Sequence, residues 1–201
     1  VSSFISTLAV GITLSGFTTG LSGGSVLSRN IPTAIINFGQ QRFIGVGYCV
    51  WVMLFLLGIM YYVLEHTTFG RSLYAVGGSE WVAFQGGIKT DRVRILVFVL
   101  AGFFTGVAAV SQLGQSGSAN PSYGAEMLMP SYAMALLSMT AYKLGTYNIV
   151  GLILSILVVG VGVNGVGLIG APYWMEHLFN GIVLIIAVLI SIHERRARKI
   201  A

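Results

Sequence analysis

Apolar residues in this chain come in long unbroken runs, not in the alternating or every-third-residue patterns of a soluble fold. Residues 44–64 hold no charged side chain over twenty-one consecutive positions. At about 1.5 Å per residue, a helix of that length crosses a hydrocarbon core of roughly 30 Å. The same reading gives spans at 3–20, 95–113, 149–169 and 178–192, with a shorter one at 130–141. The pattern predicts an all-α integral membrane protein of about six transmembrane helices, packed as one domain over residues 1–201. Gly16 with Gly20, and Gly102 with Gly106, carry the G-x-x-x-G spacing that lets helix backbones approach closely in lipid. Gly151, Ser155, Gly160, Gly162 and Gly165 leave one face of the 149–169 span nearly bare. Tyr61 and Tyr62 fit an interfacial aromatic belt. Residues 21–43 and 114–130 read as loops, the first with a short buried or re-entrant piece at 31–38. Pro130 suits the first turn of a helix, where its missing N–H costs nothing. Lys143, Gly145 and Asn148 mark a tight connection between spans.

One long polar stretch interrupts the runs, at 65–94. Within it, Ser79 is placed to cap a short helix beginning at Glu80, whose charge suits the positive helix start. Gly86-Gly87 stops that helix after about two turns, roughly 10 Å. So short a helix is not stable alone in water. It is held either by the flanking spans or a partner, or by lipid with Trp81 as an interfacial anchor, and the residues alone do not separate these readings.

Composition agrees with a membrane chain: 55% of residues are hydrophobic and 8% are charged, where soluble domains carry about 25% charged residues. The formal net charge of +5 is a topology signal and not a sign of nucleic-acid binding. Nine cations (Arg71, Lys89, Arg92, Arg94, Lys143, Arg195, Arg196, Arg198, Lys199) fall on one side of the six spans and two, Arg29 and Arg42, on the other. The positive-inside rule therefore puts the 65–94 loop and the C-terminus in the cytoplasm. The lone cysteine, Cys49, forms no intrachain disulfide and founds no metal site. The start at Val1, with no basic n-region or cleavage site, reads as a fragment or processed chain without a signal peptide.

Catalytic and metal constellations are not apparent. His66, His177 and His193 sit at loop or helix ends without a second ligand one turn away. Gly77-Gly78 belongs to no G-x-x-x-x-G-K-[ST] phosphate loop. The spans carry no firmly intramembrane charge of the kind that couples a carrier to protons or ions, and Glu126 falls at an interface. Gln112 and Asn164 are polar at or near span interiors, as weak candidates for a translocation path or as interhelical hydrogen-bonding groups.

Phe69-Gly70-Arg71, Ala75-Val76-Gly77-Gly78, Ala83 and Gly87-Ile88 resemble the cytoplasmic loop of ABC importer permeases of the ribose, xylose, arabinose and galactose type. Thr7-Leu8, Gly16 and Gly23-Gly24 are similar to that family's opening span and turn. Ser118-Ala119, Pro121, Gly124 and Glu126 resemble its outer loop, and Gly151, Gly160 and Asn164-Gly165 its penultimate span. Ser79 stands for the family's asparagine and Val82 for the first of its Ala-Ala pair. The family's Ala-Ala-x-x-x-Gly-Gly-Thr stretch reads Ser131-Tyr132 through Leu136-Leu137-Ser138, and the glycine-rich turn after it is largely replaced by Tyr142-Lys143-Leu144-Gly145, so that corner must be built differently here.

The resemblance implies a permease subunit, not an enzyme, in the bacterial inner membrane. It implies a path for a monosaccharide or similar small polar solute, and further helices ahead of residue 1 in a full-length member. The chain itself would need no cofactor, with ATP hydrolysed by separate ATPase subunits docking on 65–94. A second permease chain, a periplasmic solute-binding protein and the lipid bilayer complete the implied partners. The coupling residues carried over are Phe69, Gly70, Arg71, Gly77, Gly78, Ser79, Glu80, Ala83 and Gly87, with small Ala83 letting docking surfaces meet and Arg71 pinning the loop. The rival readings are an ion-coupled carrier or channel, and a non-transporting membrane scaffold.

Overall fold

The computed structural model describes residues 3–29, 31–142, 145–172 and 174–200, with side chains for 5–29, 31–142, 145–172 and 174–190. Val1, Lys143, Leu144 and Tyr173, and the side chains of His193, Arg195, Arg196, Arg198 and Lys199, lie outside the described residues. In chain order the elements are α1 (Ser3–Ser22), α2 (Thr33–Gln40), β1 (Arg42–Phe43), β2 (Val46–Gly47), α3 (Tyr48–His66), α4 (Thr68–Gly78), α5 (Glu80–Gln85), α6 (Thr90–Ser116), α7 (Tyr123–Ala141), α8 (Ile149–Leu168) and α9 (Trp174–Ile200). They fall into two compact units, Val26–Asn120 and Val1–Ser25 with Pro121–Ala201. By length and composition α1, α3, α6 and α8 can each cross a membrane, and α9 adds a shorter apolar stretch, Trp174–Ile190. With its 19 residues, α7 has the length of a span, but it carries Glu126 in its first turn and Pro130 inside it.

In the unit 26–120, α2 packs on α6 at a point where neither has a side chain. A Cβ on Gly39 would collide with the backbone of Gly114 and Gln115, and one on Gly114 would lie 2.6 Å from the Ile35 carbonyl oxygen. Only two glycines permit that backbone contact. The Cys49 thiol, in the first turn of α3, lies 3.9 Å from the Ser111 carbonyl oxygen and 4.0 Å from that of Gly39. The segment before α2 is tied to the end of α6 through Leu27 and Ala119, which exchange backbone hydrogen bonds of 2.9 and 2.8 Å.

Residues 44–47 do not belong to a span. They form a two-residue hairpin in which Phe43 faces Val46 and Arg42 faces Gly47. Ile44 and Gly45 both have positive φ, 55° and 78°, the mark of a type I′ turn, which favours Asn-Gly. Holding a β-branched residue there costs about 1–2 kcal/mol. The turn is braced by Trp51, whose indole N–H donates to the Phe43 carbonyl at 3.3 Å and whose ring meets Phe43 edge-on. The absence of charge from 44 to 64 concealed this hairpin, and the span begins at Tyr48.

Other boundaries shift for identifiable reasons. The stretch 65–94 is mostly helix: α4 occupies ground read as loop, and α6 begins at Thr90, not residue 95. Its charged first turn, with Asp91 and Arg92, extends past the apolar run. The helix expected over 130–141 starts seven residues earlier, at Tyr123, so Pro130 sits inside α7. There it leaves the Glu126 carbonyl without its N–H partner, a defect membrane helices tolerate. The 178–192 span is the middle of the longer α9.

In the other unit, α7, α8 and α9 pack together. Asn148 joins the first two: its Oδ1 accepts from the Gly151 N–H at 2.6 Å, capping α8. Its Nδ2 donates to the carbonyls of Ser138 and Thr146, both at 3.0 Å. A Cβ on Gly151 would strike the Ser138 carbonyl, so this altered corner is closed by one asparagine and one glycine. A Cβ on Gly162 would meet the ring of Phe179 on α9. Asn180 beside it has a buried Oδ1 with no hydrogen-bond partner among the described residues. In α1 the hydroxyls of Thr13 and Thr19 donate to carbonyls four residues back, at 2.9 and 2.8 Å, which hides them from an apolar surrounding. The positions a side chain would take at Gly16, Gly20, Gly102 and Gly106 meet nothing within 4 Å among the described residues.

Candidate functional site

The α4–α5 pair is built from three local devices. Thr67 stands between α3 and α4, its hydroxyl donating to the Val63 carbonyl at 2.6 Å and accepting from the Gly70 N–H at 3.3 Å. That turn is tight enough that a Cβ on Gly70 would collide with the carbonyl of Leu64, so Gly70 is buried of necessity. Ser79 ends α4 and starts α5 at once. Its N–H donates to the Ala75 carbonyl at 3.1 Å, and its hydroxyl accepts from the Val82 N–H at 3.4 Å. A single extended residue thus turns one helix into the next.

The end of α5 is equally well defined. Gly87, at φ 81°, donates its N–H to the Phe84 carbonyl at 3.0 Å, and Ile88 donates to the Ala83 carbonyl at 3.1 Å. This is the paired-bond stop that a left-handed glycine permits. The carboxylate of Glu80 is paired with the guanidinium of Arg94 on α6, a half-exposed contact worth no more than about 1 kcal/mol. A six-residue helix would not persist in isolation, and these restraints hold it.

Only one side chain of α5 faces inward. Ala83 is 5% exposed, whereas Trp81, Val82 and Phe84 are 69%, 60% and 67% exposed. Gly70, Ala83, Thr90 and Val93 are the buried residues of α4, α5 and the first turn of α6, which pack against one another. Ala83 is therefore the foot on which α5 stands and not part of its outward surface. Trp81 and Phe84, three residues apart, share one outward face, Val82 is exposed on another side of α5, and Arg71, Lys89 and Arg92 are exposed nearby in sequence. Arg71 is exposed on α4, and the Glu80–Arg94 pair ties α5 to α6.

The remaining candidates take varied places. Phe69 is half-buried on α4, and Gly77 and Gly78 are exposed in its last turn, with open space where a Cβ would stand. Gln112 is half-buried on α6. Asn164 is exposed on α8, its Nδ2 donating to the Gly160 carbonyl at 2.8 Å, so its amide is partly satisfied within its own helix. Trp81 and Phe84 were visible in the sequence as apolar residues of a short helix, but their shared outward direction was not. No group of three or more potential metal ligands occurs among the described residues.

The amino-acid sequence matches a known family along nearly its whole length. The sequence profile described as "Branched-chain amino acid transport system / permease component" matches residues 1–188. The ribose import permease protein RbsC of Escherichia coli (strain K12) is 30% identical over 194 residues, 95% of this chain and 60% of the relative. RbsC of Bacillus subtilis (strain 168) is 31% identical over 189 residues, 94% of this chain and 59% of the relative. The L-arabinose ABC transporter permease protein AraH of Azospirillum brasilense is 26% identical over 199 residues, 99% of this chain and 58% of the relative. The chain thus spans about 60% of the length of these relatives. No solved structure matches it significantly. With nearly its whole length covered by one profile, and with membrane-length helices to match, the chain belongs to the permease component family of the branched-chain amino acid transport type.

Proposed function

We propose that this chain is the membrane-embedded permease part of an ABC importer in the bacterial inner membrane, lining a path for a monosaccharide or similar small polar solute. The observation that carries the reading is the α5 face. Trp81, Val82 and Phe84 point away from the chain on a helix whose foot, cap and stop are all fixed internally. An apolar helix face laid into a partner's groove is a common mode of recognition, and the partner here is a separate ATPase subunit. Movement of that subunit would be passed through α5 to α4 and α6, which it packs on. A second permease chain would complete the path, and a solute-binding protein would deliver solute at the opposite membrane face. The relatives named for ribose and arabinose import support a sugar over the amino acid in the family's description. In this reading the domain 1–201 carries no ATPase site or cofactor of its own, and the α4–α5 end and the C-terminus face the cytoplasm.

The test is uptake by vesicles holding the full-length protein, its ATPase and its binding protein, with labelled ribose, arabinose and leucine in separate arms. Sugar accumulation that requires ATP inside the cytoplasmic compartment supports the reading. Uptake that follows a proton or sodium gradient without nucleotide would establish an ion-coupled carrier instead. Leucine uptake alone would overturn the sugar assignment.

A further inference from the structure

We infer that the β1–β2 hairpin is a lipid anchor, with Ile44 buried in the bilayer interface at the start of α3. Ile44 is 79% exposed at the tip of the hairpin, yet its φ is 55°, a conformation β-branched residues adopt only under strain. The preferred Asn-Gly turn would remove that strain and make the tip polar. An apolar residue at such a position is explained if its side chain leaves water.

The surroundings select lipid over a soluble protein partner. The hairpin directly precedes Tyr48, the first residue of α3, so it lies where a membrane-spanning helix emerges from the hydrocarbon. Phe43 contacts the rings of both Tyr48 and Trp51, and amphipathic aromatic rings concentrate at that depth. Exposed Phe43, Val46, Trp51, Leu54 and Phe55 continue the apolar tip along α3, so the surface is continuous with the one a span offers to acyl chains. Arg42, exposed on β1, has the reach and charge to meet a lipid phosphate. The inference rests on α3 as a span and not on the solute or the ATPase.

The experiment labels the full-length protein at Ile44→Cys with a nitroxide, every other cysteine having been replaced, Cys49 by alanine. The protein is reconstituted in phosphatidylcholine–phosphatidylglycerol vesicles, and collision rates with oxygen and with a water-soluble nickel chelate are compared. An anchored tip collides with oxygen several-fold more than with the chelate. Equal or greater chelate collision places the tip in water, and suppression of both shows that another polypeptide covers it; either result overturns the inference. A second label at Val46→Cys guards against disturbance of the tip itself. Replacing Ile44 with Asn in that background should raise its chelate collision at least twofold, and no change would exclude Ile44 as the anchor.

Discussion

The sharpest test of the α5 face is to shave it without disturbing what lies beneath. Trp81 and Phe84 are each about two-thirds exposed. Taking roughly 200 Å² for such a side chain leaves about 130 Å² available on each. At about 25 cal/mol per Å², covering that area is worth up to ~3 kcal/mol per ring. Truncating aromatic residues at the centre of an interface costs about 2 kcal/mol or more, and neighbouring positions are not strictly additive. The double variant Trp81→Ala/Phe84→Ala should therefore weaken ATPase binding by at least ~30-fold, using 1.4 kcal/mol per decade. Because neither ring is buried, the fold should change by no more than about 0.5 kcal/mol. The assay is titration of the ATPase against the permease in lipid nanodiscs, paired with a thermal unfolding curve. Affinity within threefold of the parent, at unchanged stability, would refute docking on this face. Ala83→Asp and Gly87→Trp cannot make the distinction. The first buries a carboxylate under α5 and the second forces an indole-bearing residue to φ 81°, so both would lose docking by unfolding the site.

Further outcomes follow from the packing. Ser79→Ala removes the hydroxyl that accepts from Val82; it should destabilise α5 by about 1 kcal/mol, seen as faster amide exchange at Val82 with little change in α3. Gly39→Ala drives a methyl into the Gly114 backbone and should cost at least ~3 kcal/mol, beyond the usual overpacking range; an unchanged melting temperature would disprove the close contact. Gly162→Ala collides with the movable ring of Phe179, so its cost of about 1–3 kcal/mol should be largely relieved by Phe179→Ala in a double-mutant cycle. Asn180→Leu replaces a carbonyl that is buried and without a hydrogen-bond partner among the described residues with a group of similar size. It should stabilise the protein by ~1 kcal/mol or more, and a lowered melting temperature would mean that the amide has a partner in the membrane.

The sequence disclosed features that rest on chemistry between near neighbours. Ser79 before Glu80, and Gly86-Gly87 three residues past Ala83, define α5 through bonds that span at most five residues, so its ends were readable before any tertiary structure. The glycines that matter were harder to pick. Gly16/Gly20 and Gly102/Gly106 have close-packing spacing but meet nothing within 4 Å among the described residues, whereas Gly39, Gly70 and Gly114 make backbone contacts within the chain. Close approach is decided by what lies opposite, which spacing along one helix does not encode. Helix α4 was missed because Gly70, Gly77 and Gly78 disfavour helix, and packing against α3, α5 and α6 outweighs that preference. The hairpin was missed because Ile44 is not a turn residue. The burial of Ala83 beneath its own helix depends on α4 and α6 packing on α5, which local sequence does not encode.

The continuity of α6 has a mechanical consequence. Its 27 residues run for about 40 Å without a proline or other break. One end carries the α5 turn through Glu80–Arg94 and the buried Thr90 and Val93; the other is clasped to α2 at Gly114, backbone against backbone. Such a helix behaves as a rigid lever. A tilt of about 5° at the charged end becomes a stroke of roughly 3–4 Å over that length. With no side chain between Gly39 and Gly114 to absorb the motion, α2 must follow it. A displacement of α5 would thus reach α2 at the other end of α6 with little slack in the linkage.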